Sequence, residues 1–584
     1  MTHLLQIAFG PVQDFIASAR RSRDLYAGSR LLSEAAGKAA EYLANRIGYQ
    51  NLIFPAPNNP DHFKQLSASG IPNVVLVRID HQAGDCAKLA EGAINAARAY
   101  IQDRAKELLQ PHEAHIDWPT SLKQLEDLLE VYWACVPLEK DEKDYTRARN
   151  RLAAVLAARK NTREFAPVGW GSSLPKSSLD GARETVIAGA TEPWKRKVGI
   201  RPGEELSGVD LVKRLWPERT FLSTSHVAAL PYLEGLEKKG KLEALKFYLE
   251  RLANLIGEEA RVGWAHPVVR YTILKDFDPR LLFAGRLLEF FDGSGPQLEE
   301  ARAVLSEMYR ALGEPLPYYV LLHADGDRMG EAIDHQSRQG EQAHRRLSNK
   351  LALDFAGRVQ GIVERHKGCL VYAGGDDVLA LLPLHTALPS AKTLAQTFST
   401  AMKGFGEKHN PTLSVGLAIV HHLEPLQDAL ELVRRAEKFA KEGSKGTLPE
   451  LKRNALALAY SPRSGSERMV RGRWDEDPSL SKRLYRYQDL FRLEQIPTKA
   501  GYELKALLDE LDGVVGMEKA VVLEAQRILK RKEIKPEYRR ELDSLQTPAD
   551  VARLADELIL AKVLARAYEQ AGVPTENPEV YDAH

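Results

Sequence analysis

Apolar and polar positions alternate along this chain in two rhythms, and the opening residues show both. Leu4 to Phe9 is an apolar run that stops at Gly10-Pro11, and Val12 to Arg46 then repeats apolar residues at helical spacing. This predicts a strand, a turn and a long helix that carries the basic cluster Arg20, Arg21, Arg23 and Arg30. Val74 to Ile79 (VVLVRI) is β-branched and partly alternating, as a strand requires. Leu129 to Leu138 is a further apolar run, and Tyr145 to Phe165 follows as a basic helix. Ala166 to Gly203, rich in Gly, Pro, Ser and Lys, reads as a long loop or domain edge. Helical patterns fill Gly208 to Gly313, broken at prolines that include Pro231.

The richest stretch comes next. Tyr318 to His323 (YYVLLH) predicts a strand, ADGDRMG a turn, and Glu341 to His366 a helix. Cys369 to Tyr372 and Val378 to Leu382 are short strands flanking AGGDD. Thr393 to Glu407 is helical, Thr412 to Val420 (TLSVGLAIV) a strand, and Leu426 to Lys441 an amphipathic helix. The order is β-α-β-β-α-β-α. A Ser/Gly/Arg-rich stretch after Ser461 leads to Leu484 to Ala571, dense in i,i+4 charge pairs and read as a helical bundle. The opening strand-turn-helix resembles the unit at Tyr318, and Val131 to the Tyr145 helix resembles Thr412 to Lys441. Two related domains are expected, the first without the acidic residues of the second.

Composition narrows the class. At roughly 150 residues per domain, 584 residues predict about four domains. Three cysteines (Cys86, Cys135 and Cys369) exclude a disulfide scaffold and a four-cysteine zinc site, and they fit a reducing cytoplasm. No apolar run approaches the roughly 20 residues that cross a bilayer, so no membrane role is expected. A net charge of +1 gives no overall field for nucleic acid, so any such contact rests on local basic patches.

The chemistry centres on Asp325, Asp376 and Asp377. In a β-α-β-β-α-β sheet the first strand and the hairpin are neighbours, so Asp325 can meet the Gly374-Gly375-Asp376-Asp377 tip. Glycines there permit positive φ and close approach of phosphates. Clustered carboxylates repel unless hard cations neutralise them, and Mg2+ is the natural choice. Backbone N–H groups of the Gly326, Asp327, Arg328 to Gly330 turn can face a triphosphate. Lys441 either reaches phosphates or serves as a cation at a helix C-terminus. Gly235 to Leu242 (GLEKKGKL) misses a phosphate loop at its last position, and no HExxH or His-Asp pair occurs. His421-His422 reads as a surface pair. Trp170, Lys176 and Lys195 suit either RNA or a solvated loop.

DGDRMG, YAGGDDVLALLP, TLSVGLAIV and RRAEKFAKEGSK together resemble the palm domain shared by GGDEF cyclases and class III nucleotidyl cyclases. The opening FGPVQDFIASARRSRDLYAGSRLLSEAAG, with SSLDGARE, FLSTSHVAALPY and KRNALALAYSPRSG, narrows the resemblance. It is to the large palm-containing subunit of type III CRISPR–Cas effector complexes, in the Cmr (type III-B) branch. The resemblance implies an α+β multidomain fold: a first ferredoxin-like palm (1–205), a small mainly helical domain (206–315), a second palm with GGDD (316–465) and a C-terminal helical domain (466–584). It implies polymerisation of ATP to cyclic oligoadenylates, with Mg2+ or Mn2+, when the complex binds target RNA. Its implied partners are other Cmr subunits, the 5′ region of the CRISPR RNA and target RNA. By the family motif Asp325, Asp376 and Asp377 are catalytic and metal-binding, with Gly326, Asp327, Arg328, Gly330, Gly374, Gly375 and Lys441 at the nucleotide. The first palm would hold the acceptor, through its GPVQ turn and the Arg20/Arg23 helix. Two departures stand out: the chain starts directly at the first palm, so DNA cleavage by an HD domain is not expected, and Ser207 stands where a zinc-binding cysteine is expected, so no zinc is expected. The alternatives are a catalytically silent scaffold of the complex and a stand-alone GGDEF-like cyclic dinucleotide cyclase.

Overall fold

The computed structural model describes residues 2–68, 70–80, 85–138, 142–162, 171, 173–217, 222–261, 276–291, 293, 295–463, 465–511, 514, 516–531 and 545–575. The first sheet contains β1 (Thr2–Gly10), β2 (Leu52–Phe54), β3 (Val74–Ile79) and β4 (Glu130–Leu138) in the order β2-β3-β1-β4. β1 runs antiparallel to both β3 and β4. Its side chains alternate between two cores, as the two-residue period of a strand demands. Leu5, Ile7 and Phe9 join the core formed with the Ser22–Ile47 and Cys86–Leu109 helices. Leu4 and Ala8 face Tyr145, Ala148, Leu152 and Leu156 of the Glu142–Asn161 helix.

The second sheet contains β5 (Tyr318–Asp327), β6 (Cys369–Gly374), β7 (Asp377–Leu382), β8 (Thr412–His421), β9 (Ala455–Tyr460) and β10 (Arg468–Arg473). Its order is β10-β9-β8-β5-β7-β6, with β9 parallel to β8 and the other pairs antiparallel. Read from the other edge, β6-β7-β5-β8 repeats β2-β3-β1-β4 strand for strand. Two ferredoxin-like units of one topology therefore lie in the chain, and the weak pattern repeat of the sequence is a structural one. The second sheet is longer, since β10 continues it beyond residue 465.

One close approach sets the second unit's geometry. A Cβ on Gly416 of β8 would stand 2.3 Å from the backbone N of Glu437. Glycine lets the Leu426–Glu442 helix lie directly on the sheet, and this brings Glu437 and Lys441 over β5.

Helices fill the remaining regions, including Gly208–Arg214, Thr224–Lys238 and Pro296–Leu312 between the units, and Leu480–Arg492 and Pro548–Gln570 after them. Gly235 serves a helix crossing, since its Cβ would meet the carbonyl of Gln570 at 1.8 Å. Ser207 caps the Gly208–Arg214 helix by accepting from the Asp210 N–H. Among the described residues no helix is long and apolar enough to cross a membrane.

Several expectations are corrected. The Val12–Arg46 segment is two helices, Gln13–Ala17 and Ser22–Ile47, because the Asp24 carboxylate accepts from the N–H groups of Arg20 and Arg21 and starts a second helix. A helix already begins at Met329, right after the DGD turn, and runs to Arg338. Gly340, at φ +98°, separates it from Glu341–Asn349, and a π-turn at Lys350–Ala356 precedes Gly357–Arg365. Pro231 lies inside the Thr224–Lys238 helix without ending it. His421 and His422 are buried, not a surface pair, and His422 Nδ1 lies 2.9 Å from Ser225 Oγ. Cys86 and Cys135 are disulfide-bonded, with Cα atoms 6.6 Å apart, and Cys369 is free and buried. Lys176 pairs with Glu184 and Lys195 with Glu192, while Trp170 lies outside the described residues.

Candidate active site

The β6–β7 hairpin closes through a two-residue turn, since Gly374 pairs with Asp377. Gly375 takes φ +69°, the left-handed position that such turns assign to glycine. Asp376 therefore sits at the tip. β5 is the neighbour of β7, with Ala324 opposite Val378, so Asp325 lies one step from the start of β7. The contact is close: a Cβ on Gly326 would stand 2.7 Å from Asp376 Cβ and 2.8 Å from its Oδ2. Burial pushes the Asp376 carboxyl up to about 6, and the negative charges of Asp377 and Asp327 add to this.

A chain of polar side chains joins the other two aspartates. Asp377 Oδ1 lies 3.0 Å from His323 Nε2, and its Oδ2 accepts from the Tyr372 hydroxyl at 2.8 Å. His323 Nδ1 faces Glu437 Oε2 at 4.0 Å, Glu437 Oε1 lies 3.2 Å from Lys441 Nζ, and Lys441 pairs with Asp325. The side chains of Asp325 and Asp377 keep 30% and 27% exposure, so both remain open to a ligand. Turned in this way onto Lys441 and His323, the carboxylates do not converge, and among the described residues no three His, Cys, Asp or Glu side chains form a metal cage.

Asp327 differs from its neighbours. It is buried, and it accepts from Thr412 Oγ1 at 2.8 Å, Ser414 Oγ at 2.9 Å and the Asn454 N–H at 3.0 Å. Its carboxylate ties β5 to β8 and to the Arg453-Asn454 turn instead of facing the cleft. Arg328 is left-handed, at φ 60°, and turns the chain from β5 into the Met329–Arg338 helix. Gly330 and Gly374 have open space where a Cβ would stand. His323, Tyr372 and Glu437 were not singled out from the sequence. His323 lies two residues before Asp325 on the same strand face, and Glu437 one helical turn before Lys441.

A cavity of about 650 Å3 opens between the two units, in the size range of small-molecule sites. Asp377, His323 and Gly374 line one wall, and Gln13, Arg30 and Ser33 of the first unit line the other. Val12 and Gln13 of the GPVQ turn also line it, while Arg20 and Arg23 are not among its lining residues. The two units meet beside it, with a Cβ on Gly70 placed 3.1 Å from the Ala373 carbonyl.

Residues 318–454 match the family described as Cas10/Cmr2, second palm domain, and residues 4–110 match CRISPR-associated protein Cmr2, N-terminal. The CRISPR system Cmr subunit Cmr2 of Pyrococcus furiosus is 24% identical over 552 residues, which cover 79% of this chain and 62% of that protein. The fold is similar to that of a solved type III-B Cmr-beta complex in its apo state, with TM-score 0.63, 14% identity, and coverage of 98% of this chain and 82% of that one. It is similar also to the same kind of complex bound to cognate target RNA, with TM-score 0.65, 14% identity, and coverage of 97% and 83%. The first of the paired sheets opens within the matched Cmr2 N-terminal segment, and β5 to β8 of the GGDD sheet lie in the matched second palm. Over residues 4–110 and 318–454 the chain is thus similar to the Cas10/Cmr2 family.

Proposed function

We propose that this chain is the large subunit of a cytoplasmic, CRISPR RNA-guided type III-B effector complex. In this reading it converts ATP to cyclic oligoadenylates when the complex binds target RNA. The observation that carries the reading is the close meeting of the β5 end with the hairpin tip, whose Gly374 and Asp377 line the cavity between the units. The Cmr-beta complexes, one of them bound to target RNA, support other Cmr subunits and RNA as partners.

The donor set fits a hard divalent cation. Asp325, Asp376 and Asp377 offer carboxylate oxygens only, the hard donors such an ion takes, and burial, with the charges of Asp377 and Asp327 added, pushes the Asp376 carboxyl up to about 6. These three would hold Mg2+ or Mn2+, which when bound supplies neutralisation of phosphate charge and acidification of a hydroxyl. The chain's own residues do the rest. Gly374 and Gly375 leave room for phosphates at the tip. The backbone from Gly326 through Arg328 to Gly330 faces the triphosphate, and Lys441, released from Asp325, adds a cation. The 3′-hydroxyl of one ATP then attacks the α-phosphate of the other, and pyrophosphate leaves. Gln13 and Arg30 are placed to orient the acceptor from the opposite wall.

Product analysis of the assembled complex tests this reading. With target RNA, ATP and Mg2+, oligoadenylates and pyrophosphate are expected, and without target RNA neither. No pyrophosphate under activating conditions would identify a silent scaffold, and guanosine dinucleotides from the purified chain alone would identify a stand-alone cyclase. A milder variant probes the geometry. Gly326→Ala places a methyl group 2.7 Å from Asp376 Cβ, so the tip must move. ATP turnover is expected to fall about 10²-fold, the usual cost of a displacement near 1 Å. The melting temperature should stay close to that of the wild type.

A further inference from the structure

Two guanidinium groups line the cavity between the units, Arg30 from the first and Arg434 from the second. They differ in what holds them. Arg30 is paired with Glu34 at 2.7 Å. Arg434 is half-buried on the Leu426–Glu442 helix, and its Nη2 donates to the Gln13 carbonyl at 3.4 Å. That long contact uses one of five N–H donors, and among the described residues no carboxylate pairs with it. Arg435, next in the chain, turns away to Glu467 at 2.8 Å, so the sequence pair Arg434-Arg435 divides between cavity and surface. The helix sets the direction. Arg434, Glu437 and Lys441 are spaced by three and four residues, which puts them on one face of the helix that Gly416 lets rest on the sheet. Lys441 pairs with Asp325 at the β5 end. Arg434 stands two turns, about 10 Å, nearer the helix start, against the first unit.

We propose that Arg434 binds the phosphates of the acceptor nucleotide, so that both units hold this nucleotide; this rests on the function proposed above. A guanidinium whose donors face a cavity without a carboxylate partner matches a phosphate, which its planar fork can take through two parallel hydrogen bonds. Partial burial strengthens that attraction over its value at an open surface. The first unit offers the cavity uncharged groups, Gln13, Ser29 and Asn73 among them, which suit a base and ribose and not a phosphate charge. One helix face thus carries a cation for each nucleotide, Lys441 for the donor and Arg434 for the acceptor.

The test is equilibrium dialysis of 3′-deoxyATP, adenosine and tripolyphosphate against the assembled complex with target RNA, in the wild type, Arg434→Gln and Arg434→Lys. The 3′-deoxy compound lacks the attacking hydroxyl and so binds without turnover. Arg434→Gln should weaken 3′-deoxyATP about tenfold at one of two sites, the loss expected when one charge-assisted hydrogen bond is removed, while adenosine binding holds. Arg434→Lys keeps a point charge and should recover part of that loss. With ATP as substrate, Arg434→Gln should raise KM and leave kcat within about threefold, because the contact is the same before and during the reaction. Wild-type affinity for 3′-deoxyATP in Arg434→Gln would overturn the role of Arg434 alone. An equal loss for adenosine would show that Arg434 only ties down Gln13, and would overturn it too. Tripolyphosphate that binds as tightly as 3′-deoxyATP, with the same sensitivity to Arg434, would make this a general anion site and overturn the acceptor assignment. No binding of 3′-deoxyATP to the wild-type complex would overturn the function beneath it.

Discussion

An Asp376→Ala/Asp377→Ala chain, assembled with its partners and target RNA, is expected to lose at least about 10³-fold in ATP turnover while melting within a few degrees of the wild type. The two halves of this expectation come from different properties of the tip. Asp376 occupies the turn and Asp377 keeps 27% side-chain exposure, so neither fills the apolar core and alanine opens no cavity. Removing them even relieves repulsion, since burial and the charges of Asp377 and Asp327 already push Asp376 up to about 6. For the reaction, the loss removes two of three hard ligands at the point where phosphate charge develops. The single Asp377→Ala change should come close to the double, because groups that act as a unit do not add. Pyrophosphate release and chromatography of the products provide the measurement. Turnover within tenfold of the wild type would sink the assignment of the site.

Much of this site was legible because it rests on short-range patterns. The order β-α-β-β-α-β follows from apolar alternation around Tyr318 to Val420, and a hairpin that presents Asp376 follows from Gly-Gly between two apolar strands. Even the repeat of the first unit shows in its strand spacing. What escaped depends on contacts distant in sequence. His421-His422 looks polar, yet the pair is buried where β8 ends near Ser225, about 200 residues earlier in the chain. Asp327 reads as a nucleotide-facing residue of the DGD turn, and only the register that sets it against Thr412 sends its carboxylate into the sheet. Arg20 and Arg23 were expected, with the GPVQ turn, at the acceptor; the residues of this segment that line the cavity include Gln13 and Arg30, on two separate helices. Tyr372, His323 and Glu437 are ordinary strand and helix residues by type, and only their convergence on Asp377 and Lys441 marks them.

The same limit hides the largest expected effect on stability. Arg214→Met should cost about 3–5 kcal/mol, the usual loss when one partner of a buried ion pair is removed. Arg214, in the sequence simply the end of GEELSGVDLVKR, has 0% side-chain exposure. Its Nε and Nη2 donate to the two oxygens of Asp24 at 3.0 and 3.1 Å. Its Nη1 and Nη2 reach Glu204 at 3.0 and 2.9 Å, and Nη1 also donates to the Gly199 carbonyl at 2.8 Å. Asp24 in turn starts the Ser22–Ile47 helix, so the cluster fixes the first unit against the helix that ends at Arg214. Burial opposes both carboxylates, but the guanidinium outweighs it and holds Asp24 and Glu204 below their ordinary values. Groups depressed in this way contribute stability above their unfolded values, near pH 4, and lose it as pH falls through their folded ones. Methionine removes the compensation and leaves two buried carboxylates whose values should rise instead. The destabilisation should then be full at neutral pH and should shrink as the pH falls toward 5, where protonation relieves them. Urea midpoints at pH 7 and pH 5 test both the size and the sign. A cost below about 1 kcal/mol at pH 7, or one that grows on acidification, would show that the cluster is not held by Arg214.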